Sequence, residues 1–227
     1  MMHAHTHDHD TAHGHAHSSA EPMRDFSRSS WEERYQSRPA VWSGQPNQPL
    51  VDEIEHITEP GTALEVGCGE GADAVWLAGQ GWLVTAVDLS RTALARATAH
   101  ADEAGVAQHI TFTDTDLTAL LTAGETWNLV TSLYTHPEQG GRWLVETLAP
   151  AVAPGGMLLV VGHHPTDPHA ADHPDLRDAA FDAADVADAL SRDEWEVSAT
   201  VRERTTRTAD GHERLWRDAV LAARRHS

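Results

Sequence analysis

The stretch Ala63-Leu64-Glu65-Val66-Gly67-Cys68-Gly69-Glu70-Gly71 is an apolar strand that runs into three alternating glycines. After a helix-like segment it is answered by Val84-Thr85-Ala86-Val87-Asp88. Glycine removes Cβ where the backbone must turn tightly and lie against a ligand, and a carboxylate ending the next strand can accept hydrogen bonds from both hydroxyls of a ribose. The pairing marks a site for a nucleotide-type cofactor.

Spacing separates the candidate cofactors. A dinucleotide fingerprint reads GxGxxG and faces a pyrophosphate with a helix N-terminus, whereas here the glycines fall at 67, 69 and 71 with Glu65 in front of them. An acid two residues before the loop repels a pyrophosphate and suits a cation such as the ammonium and sulfonium of S-adenosylmethionine. The electrostatics favour S-adenosylmethionine over NAD.

On these residues, the chain from about 31 to 163 resembles a class I S-adenosylmethionine-dependent methyltransferase of the small-molecule type. Upstream, Trp31-Glu32-Glu33-Arg34-Tyr35, then Val41-Trp42-Ser43-Gly44 and Pro46-Asn47, is similar to the leading segment of tellurite-resistance, thiopurine and thiol or halide methyltransferases. The resemblance implies a methyl donor held by the loop and a lid segment over about 25–50.

From Trp31 the pattern alternates apolar β-type runs with amphipathic segments, which predicts βα units around a parallel sheet. Strands are expected at about 62–66, 83–87, 109–113, 128–133 and 156–162, with helices over 49–57, 72–80, 91–104, 140–153 and 183–191. Ser90 reads as an N-cap and Gly105 as a C-terminal stop. Two further extended runs, 195–204 and 215–224, joined across Thr208-Ala209-Asp210-Gly211, read as an antiparallel pair. The expected fold class is α/β: a Rossmann-like three-layer sandwich with a mostly parallel seven-stranded sheet and an antiparallel C-terminal strand, as the resemblance also implies.

The resemblance assigns Glu65 to orienting the donor's amine, with Gly67, Cys68 and Gly69 along its methionine part. Asp88 takes the ribose and Leu89 packs against adenine. In Asp114-Thr115-Asp116-Leu117 one acid accepts from the adenine amino group; Asp116 is favoured because Leu117 then lies beside the ring, and Asp114 is left as a cap, with the reverse assignment open. Trp42 and Leu133 complete the expected cofactor contacts. Asn128 stands where the family often has Asp, at a strand start far from the reacting centre.

The expected catalytic residues are Tyr134 and His136, at the end of the fourth strand, where ligands of open α/β sheets gather. Methyl transfer is a displacement from an already activated sulfonium, so positioning supplies much of the rate. A base matters only where the acceptor must lose a proton, and His136, with an unperturbed pKa of about 6.5, suits that task. His163, His164, His169 and His173, with Asp167 and Asp172, read as an ordinary polar loop, as a metal-binding cluster or as a cap on the acceptor pocket, with His163 the member that faces it. Trp31, Tyr35 and Trp42 read either as core or as lid rings covering the sulfonium by cation–π attraction.

Composition narrows the partners. The formal charge is −19, from 35 acidic and 16 basic residues, all of the latter arginine, which disfavours nucleic acids and anionic membranes. Cys68, the single cysteine, cannot form an intramolecular disulfide and reads as a small buried filler in a reducing, cytoplasmic protein. No apolar run spans a membrane, and no secretion signal is evident. Residues 1–24 form a His-rich region, expected to be disordered, with seven histidines between positions 3 and 17. They offer adventitious Zn or Ni affinity without a fixed ligand spacing. The expected activity is methyl transfer from S-adenosylmethionine to a small molecule, with a thiol, a metalloid oxyanion or another soft nucleophile as candidate acceptors. A metal-handling protein with an S-adenosylmethionine-sensing domain is the alternative, and an NAD-dependent oxidoreductase ranks below it. Oligomeric state is not legible.

Overall fold

Among the described residues, 26–115, 117–207 and 213–227 of a computed structural model, the β-type runs join one seven-stranded sheet in the order β3-β2-β1-β4-β5-β7-β6. Its strands are β1 (Thr62–Val66), β2 (Leu83–Val87), β3 (Ile110–Thr113), β4 (Trp127–Leu133), β5 (Val152–His163), β6 (Trp195–Arg207) and β7 (Glu213–Arg225). Only β7 runs against its neighbours, pairing antiparallel with both β5 and β6. The expected fold class therefore holds. The His-rich region and the turn at 208–211 lie outside the described residues.

The helices are α1 (Arg28–Gln36), α2 (Gln48–Ile54), α3 (Ala72–Gly79), α4 (Arg91–Glu103), α5 (Leu117–Leu121), α6 (Gly140–Leu148), α7 (Pro168–Asp172), α8 (Pro174–Ala179) and α9 (Ala183–Ala187). Alternation along the central strands sends successive side chains to opposite layers. Leu158 and Val160 of β5 join one core with Leu144 and Leu148 of α6 and Val186 of α9. Leu159 and Val161 join the other, with Leu50 of α2, Leu77 of α3 and Leu94 of α4. Each such side chain, once fully buried, contributes about 1.5–3 kcal/mol.

Local chemistry sets the boundaries. Ser90 caps α4 by accepting from the Ala93 N–H at 3.1 Å, and Gly105, at φ +72°, follows the helix end, both as expected. Gly71 precedes α3 at φ +83°, and a Cβ there would lie 2.7 Å from the Ala97 Cβ, so glycine lets α3 close on α4.

The helices expected over 49–57 and 183–191 end early, at Ile54 and Ala187, and two further spans change character. The helix predicted over 140–153 stops at Leu148, because Pro150 has no N–H and its ring would clash with the preceding turn; a 3₁₀ turn (Ala149–Ala151) follows and β5 starts four residues early. The polar loop expected after His163 is instead α7 and α8, each with proline at its start, and Asp167 caps α7 through the His169 N–H at 3.1 Å.

Candidate active site

The C-terminal ends of β1, β2, β4 and β5 open onto a cavity of about 540 Å³, which α1 and the segment after it cover. On the β1–β2 side the loop is set by backbone bonds. The N–H groups of Gly67 and Cys68 both donate to Val87 O, at 2.8 and 3.0 Å. Gly69 has φ +54°, and a Cβ on it would stand 2.8 Å from the Tyr35 hydroxyl and 3.1 Å from Trp42 Nε1. Only glycine leaves that approach open.

Asp88 locks this loop as well as facing the cavity. Its Oδ2 accepts from the Gly69 N–H and its Oδ1 from the Ser90 N–H, both at 2.8 Å. Burial pushes its carboxyl above the ordinary value, and the Ser90, Gly69 and Leu89 amides pull back. Each carboxylate oxygen keeps acceptor capacity beyond its one amide, which suits a ribose diol.

Glu65 is 3 % exposed, lines the cavity, and its Oε2 has no hydrogen-bond partner. Desolvation, then the Asp73 and Asp88 charges, holds its carboxyl well above the ordinary range. Asp73 is likewise raised, to about 6, by burial against the opposing bonds from Asn47. An orphaned buried acid beside two others is costly unless a cation completes it. The ammonium and sulfonium of S-adenosylmethionine fit this requirement, and a pyrophosphate does not.

The leading segment is fastened to the loop by carboxylates. Glu70 accepts from the Val41 and Trp42 N–H groups at 3.1 and 3.0 Å and pairs with Arg96 at 2.8 Å. Arg96 also donates to the carbonyls of Tyr35 and Arg38. Asp73 accepts from the Asn47 backbone and side chain, both at 2.6 Å, while Glu32 holds Ser90 and Thr92, whose bonds draw its carboxyl down to about 2. Trp42 Nε1 donates to the Tyr35 hydroxyl at 2.7 Å. Glu32, Glu70, Asp73 and Arg96 were not singled out from the sequence as fasteners, and only Asp73, opening a helix after the loop, carried a positional hint.

Trp42, Glu65, Gly67, Cys68, Gly69, Asp88, Leu89, Leu117 and Leu133 all line the cavity. Asp116 lies outside the described residues. Asp114 does not line the cavity; its carboxylate pairs with Arg91 at 2.5 Å and its carbonyl accepts from Arg28. Burial raises the Cys68 thiol, with Glu65 next in effect, which leaves it inert. Asn128 ties two strand starts by accepting from Thr62, away from the cavity.

The β4–β5 side is made of rings. Tyr134 has φ +52°, a strained position for a bulky residue that orients its ring at the end of β4. Burial, then Asp218, pushes its phenol up, and Arg204 Nη2 donates to it at 3.4 Å. His136 is buried with neither ring nitrogen hydrogen-bonded, stacked on Phe26 at 5.0 Å and on His163 at 6.1 Å. Burial, then His163 and Arg34, lowers it to about 3, so it is neutral. Arg204 pairs with Asp218 at 2.6 Å, lies 4.7 Å over the Trp216 ring, and keeps Nη1 unpartnered in the buried wall. Neither Phe26 nor Arg204 had a sequence signal, since only the packing of the leading segment and the β6–β7 register bring them here.

A family model described as "Methyltransferase domain" matches residues 63–156, the segment carrying the glycine loop, Asp88 and β4. A 2-heptyl-1-hydroxyquinolin-4(1H)-one methyltransferase of Mycobacteroides abscessus is 28% identical over 172 residues, covering 70% of this chain and 75% of its own. Two solved structures share the fold. The N-methyltransferase NodS of Bradyrhizobium japonicum, in complex with S-adenosyl-L-homocysteine, has TM-score 0.62 and 20% identity, covering 89% of this chain and 99% of its own. The magnesium protoporphyrin IX methyltransferase of Synechocystis has TM-score 0.60 and 18% identity, covering 86% and 83%. Among the described residues no three His, Cys, Asp or Glu side chains converge to hold a metal, and no helix is long and apolar enough to cross a membrane. The metal-handling alternative gains no support. The glycine loop with its orphaned acid, the reversed β7 and the methyltransferase-domain match over residues 63–156 agree on one activity: the chain is an S-adenosylmethionine-dependent methyltransferase.

Proposed function

We propose that the enzyme methylates an ionisable hydroxyl on a flat aromatic small molecule. One observation carries this reading: the wall facing the donor site is a run of stacked rings, Phe26, His136 and His163, with Trp31 6.2 Å from His136 and the Arg204 guanidinium set over Trp216. Flat rings bury a flat acceptor, and a guanidinium edge receives its oxygen.

When bound, S-adenosylmethionine supplies a methyl carbon whose bond to sulfur breaks toward sulfur as the bond to the acceptor oxygen forms. The chain's part is to place the acceptor and manage its proton. Glu65 and Asp88 fix the donor end, the leading segment excludes water, and Tyr134 and His136 flank the acceptor. Neutral His136 offers an uncharged ring that stacks and hydrogen-bonds without repelling a sulfonium.

The relative from M. abscessus is named for a 1-hydroxyquinolin-4-one, a flat ring system bearing a hydroxyl, which supports the same class here. Of the acceptors considered from sequence, an aromatic thiol suits the same wall, whereas a compact metalloid oxyanion leaves the rings unused. The test is methyl transfer from tritiated donor to hydroxyquinolones, phenols, thiols, tellurite, selenite and halide. Products are expected from the flat hydroxyls. Transfer to thiols or tellurite with none to any hydroxyl would reject the reading.

A further inference from the structure

His163 ends β5 with its ring 3 % exposed, inside the wall that faces the acceptor. Its Nδ1 lies 2.9 Å from Asp167 Oδ2, and Asp167 is itself fully buried. The second oxygen of that carboxylate accepts from the His169 N–H at 3.1 Å, so the group is gripped at both ends. An ionised carboxylate only accepts, so Nδ1 carries the hydrogen, and in the neutral ring of that tautomer Nε2 holds the lone pair. Nε2 has no hydrogen-bond partner among the described residues.

We propose that His163 is the base that takes the acceptor's proton at Nε2, and that Asp167 is its positioning residue. The inference rests on the hydroxyl-acceptor reading above. The acceptor's O–H bond breaks with its electron pair left on oxygen, the proton moves to Nε2, and the imidazolium formed lies 2.9 Å from the Asp167 carboxylate. His136 lacks such a partner: a proton on its ring would leave a buried charge uncompensated. The same contrast assigns the two rings different work, His163 to proton transfer and His136 to stacking. An oriented imidazole backed by a buried carboxylate is a recurring solution for this task.

The groups facing His163 are Tyr134 and His136 from the end of β4, Asp167 and His169 from the α7 side, Asp218 opposite it in the β5–β7 register, and Arg204 above Tyr134. His163→Gln and Asp167→Asn are compared with the unaltered enzyme on two acceptors: an alkylphenol that keeps its proton at the assay pH and a nitrophenol already ionised there. Loss of a positioned base removes about 10²-fold or more of the rate on the alkylphenol and less than about threefold on the nitrophenol. His136→Phe lowers both rates together.

A reading without turnover accompanies this one. In the absence of methyl donor, absorbance of bound nitrophenol as pH is lowered follows its ionisation inside the cavity. The phenolate persists to lower pH in the unaltered enzyme than in His163→Gln. Calorimetric binding of S-adenosyl-L-homocysteine shows that each variant is folded. Equal losses on both phenols, or an unshifted bound-phenol titration, overturn the assignment while leaving the hydroxyl-acceptor reading intact. An unaltered enzyme that binds the homocysteine product yet methylates neither phenol overturns both.

Discussion

The donor side of the cavity and the acceptor side are built by opposite means. At the donor side the backbone does the shaping: a bend with positive φ at Gly67 and Gly69, two amides on Val87 O, and carboxylates that bond backbone N–H groups across the leading segment. At the acceptor side, side chains from the lid, β4, β5, α7 and β6 meet as rings and guanidinium groups, with little backbone bonding among them. The first side gathers buried carboxyls whose ionised forms a cation would favour, and the second gathers buried imidazoles beside arginine. A site made of backbone fixes its ligand narrowly, whereas one made of side chains can change acceptor by changing a few of them.

The largest expected effect comes from cutting the donor side's fastening. Arg96→Leu removes the partner of buried Glu70 and frees the carbonyls of Tyr35 and Arg38. Breaking a buried pair costs about 3–5 kcal/mol, and because the Arg96 side chain retains 23% exposure the cost here is about 2–3 kcal/mol. Melting of the unliganded protein should fall by about 4–12 °C. An unchanged melting curve would mean that the leading segment is held by its apolar contacts alone.

Next is Glu65→Gln, which keeps the shape and removes the charge. A charge-assisted bond lost to the donor's ammonium lowers affinity about tenfold to hundredfold, read by calorimetry. The unliganded protein should become more stable, because a buried unpaired carboxylate disappears. Affinity and stability moving together would contradict the view of Glu65 as an orphan waiting for a cation.

The same contrast explains what was legible before the fold was known. Gly67, Gly69, Glu65 and Asp88 act through backbone geometry and charge within one strand–helix–strand unit, so their spacing carried the message. The sheet, including the reversed β7, followed from apolar periodicity. The ring wall beside β4 and β5 did not follow, because Phe26, His163 and Arg204 meet only through the packing of the leading segment and the β6–β7 register, which local pattern does not encode. His163 was marked as the cluster member facing the pocket, but its bond to Asp167 depends on a helix that Pro168 starts where a loop was expected. His136 reads from sequence as a base because an ordinary histidine pKa suits the task; in the fold, burial, then His163 and Arg34, lowers it to about 3.

Acid should act on the two sides with opposite sign. Asp73 is raised to about 6 in the folded protein, so its contribution is present below the ordinary carboxylate value and is lost as pH rises through about 6. His136 and His169, lowered to about 3 and about 4, contribute above the ordinary histidine value and lose that contribution as pH falls below it. For His136 this amounts to about 1–2 kcal/mol between pH 6.5 and 5. Melting profiles over that range should flatten in His136→Phe and steepen in Asp73→Asn. Binding of the cationic donor should tighten as pH rises through about 6, because a cation favours ionised Asp73, and Asp73→Asn should remove that slope. A pH-independent affinity would place the donor's charge away from Asp73.

The smallest effect decides between Asp114 and Asp116, the two acids that the sequence offers for the adenine contact. Asp114 spends its carboxylate on Arg91 at the surface, so Asp114→Ala should leave donor affinity within about twofold, as for other exposed pairs. Asp116 lies outside the described residues; if it makes the adenine contact expected from sequence, Asp116→Ala should weaken binding about tenfold. The pair of variants is informative because they differ by two positions, which brackets the segment between the end of β3 and Leu117. If Asp114→Ala were the weaker binder, Arg91 would have to release its partner on donor binding, and Arg91→Ala would then tighten the donor rather than leave it unchanged.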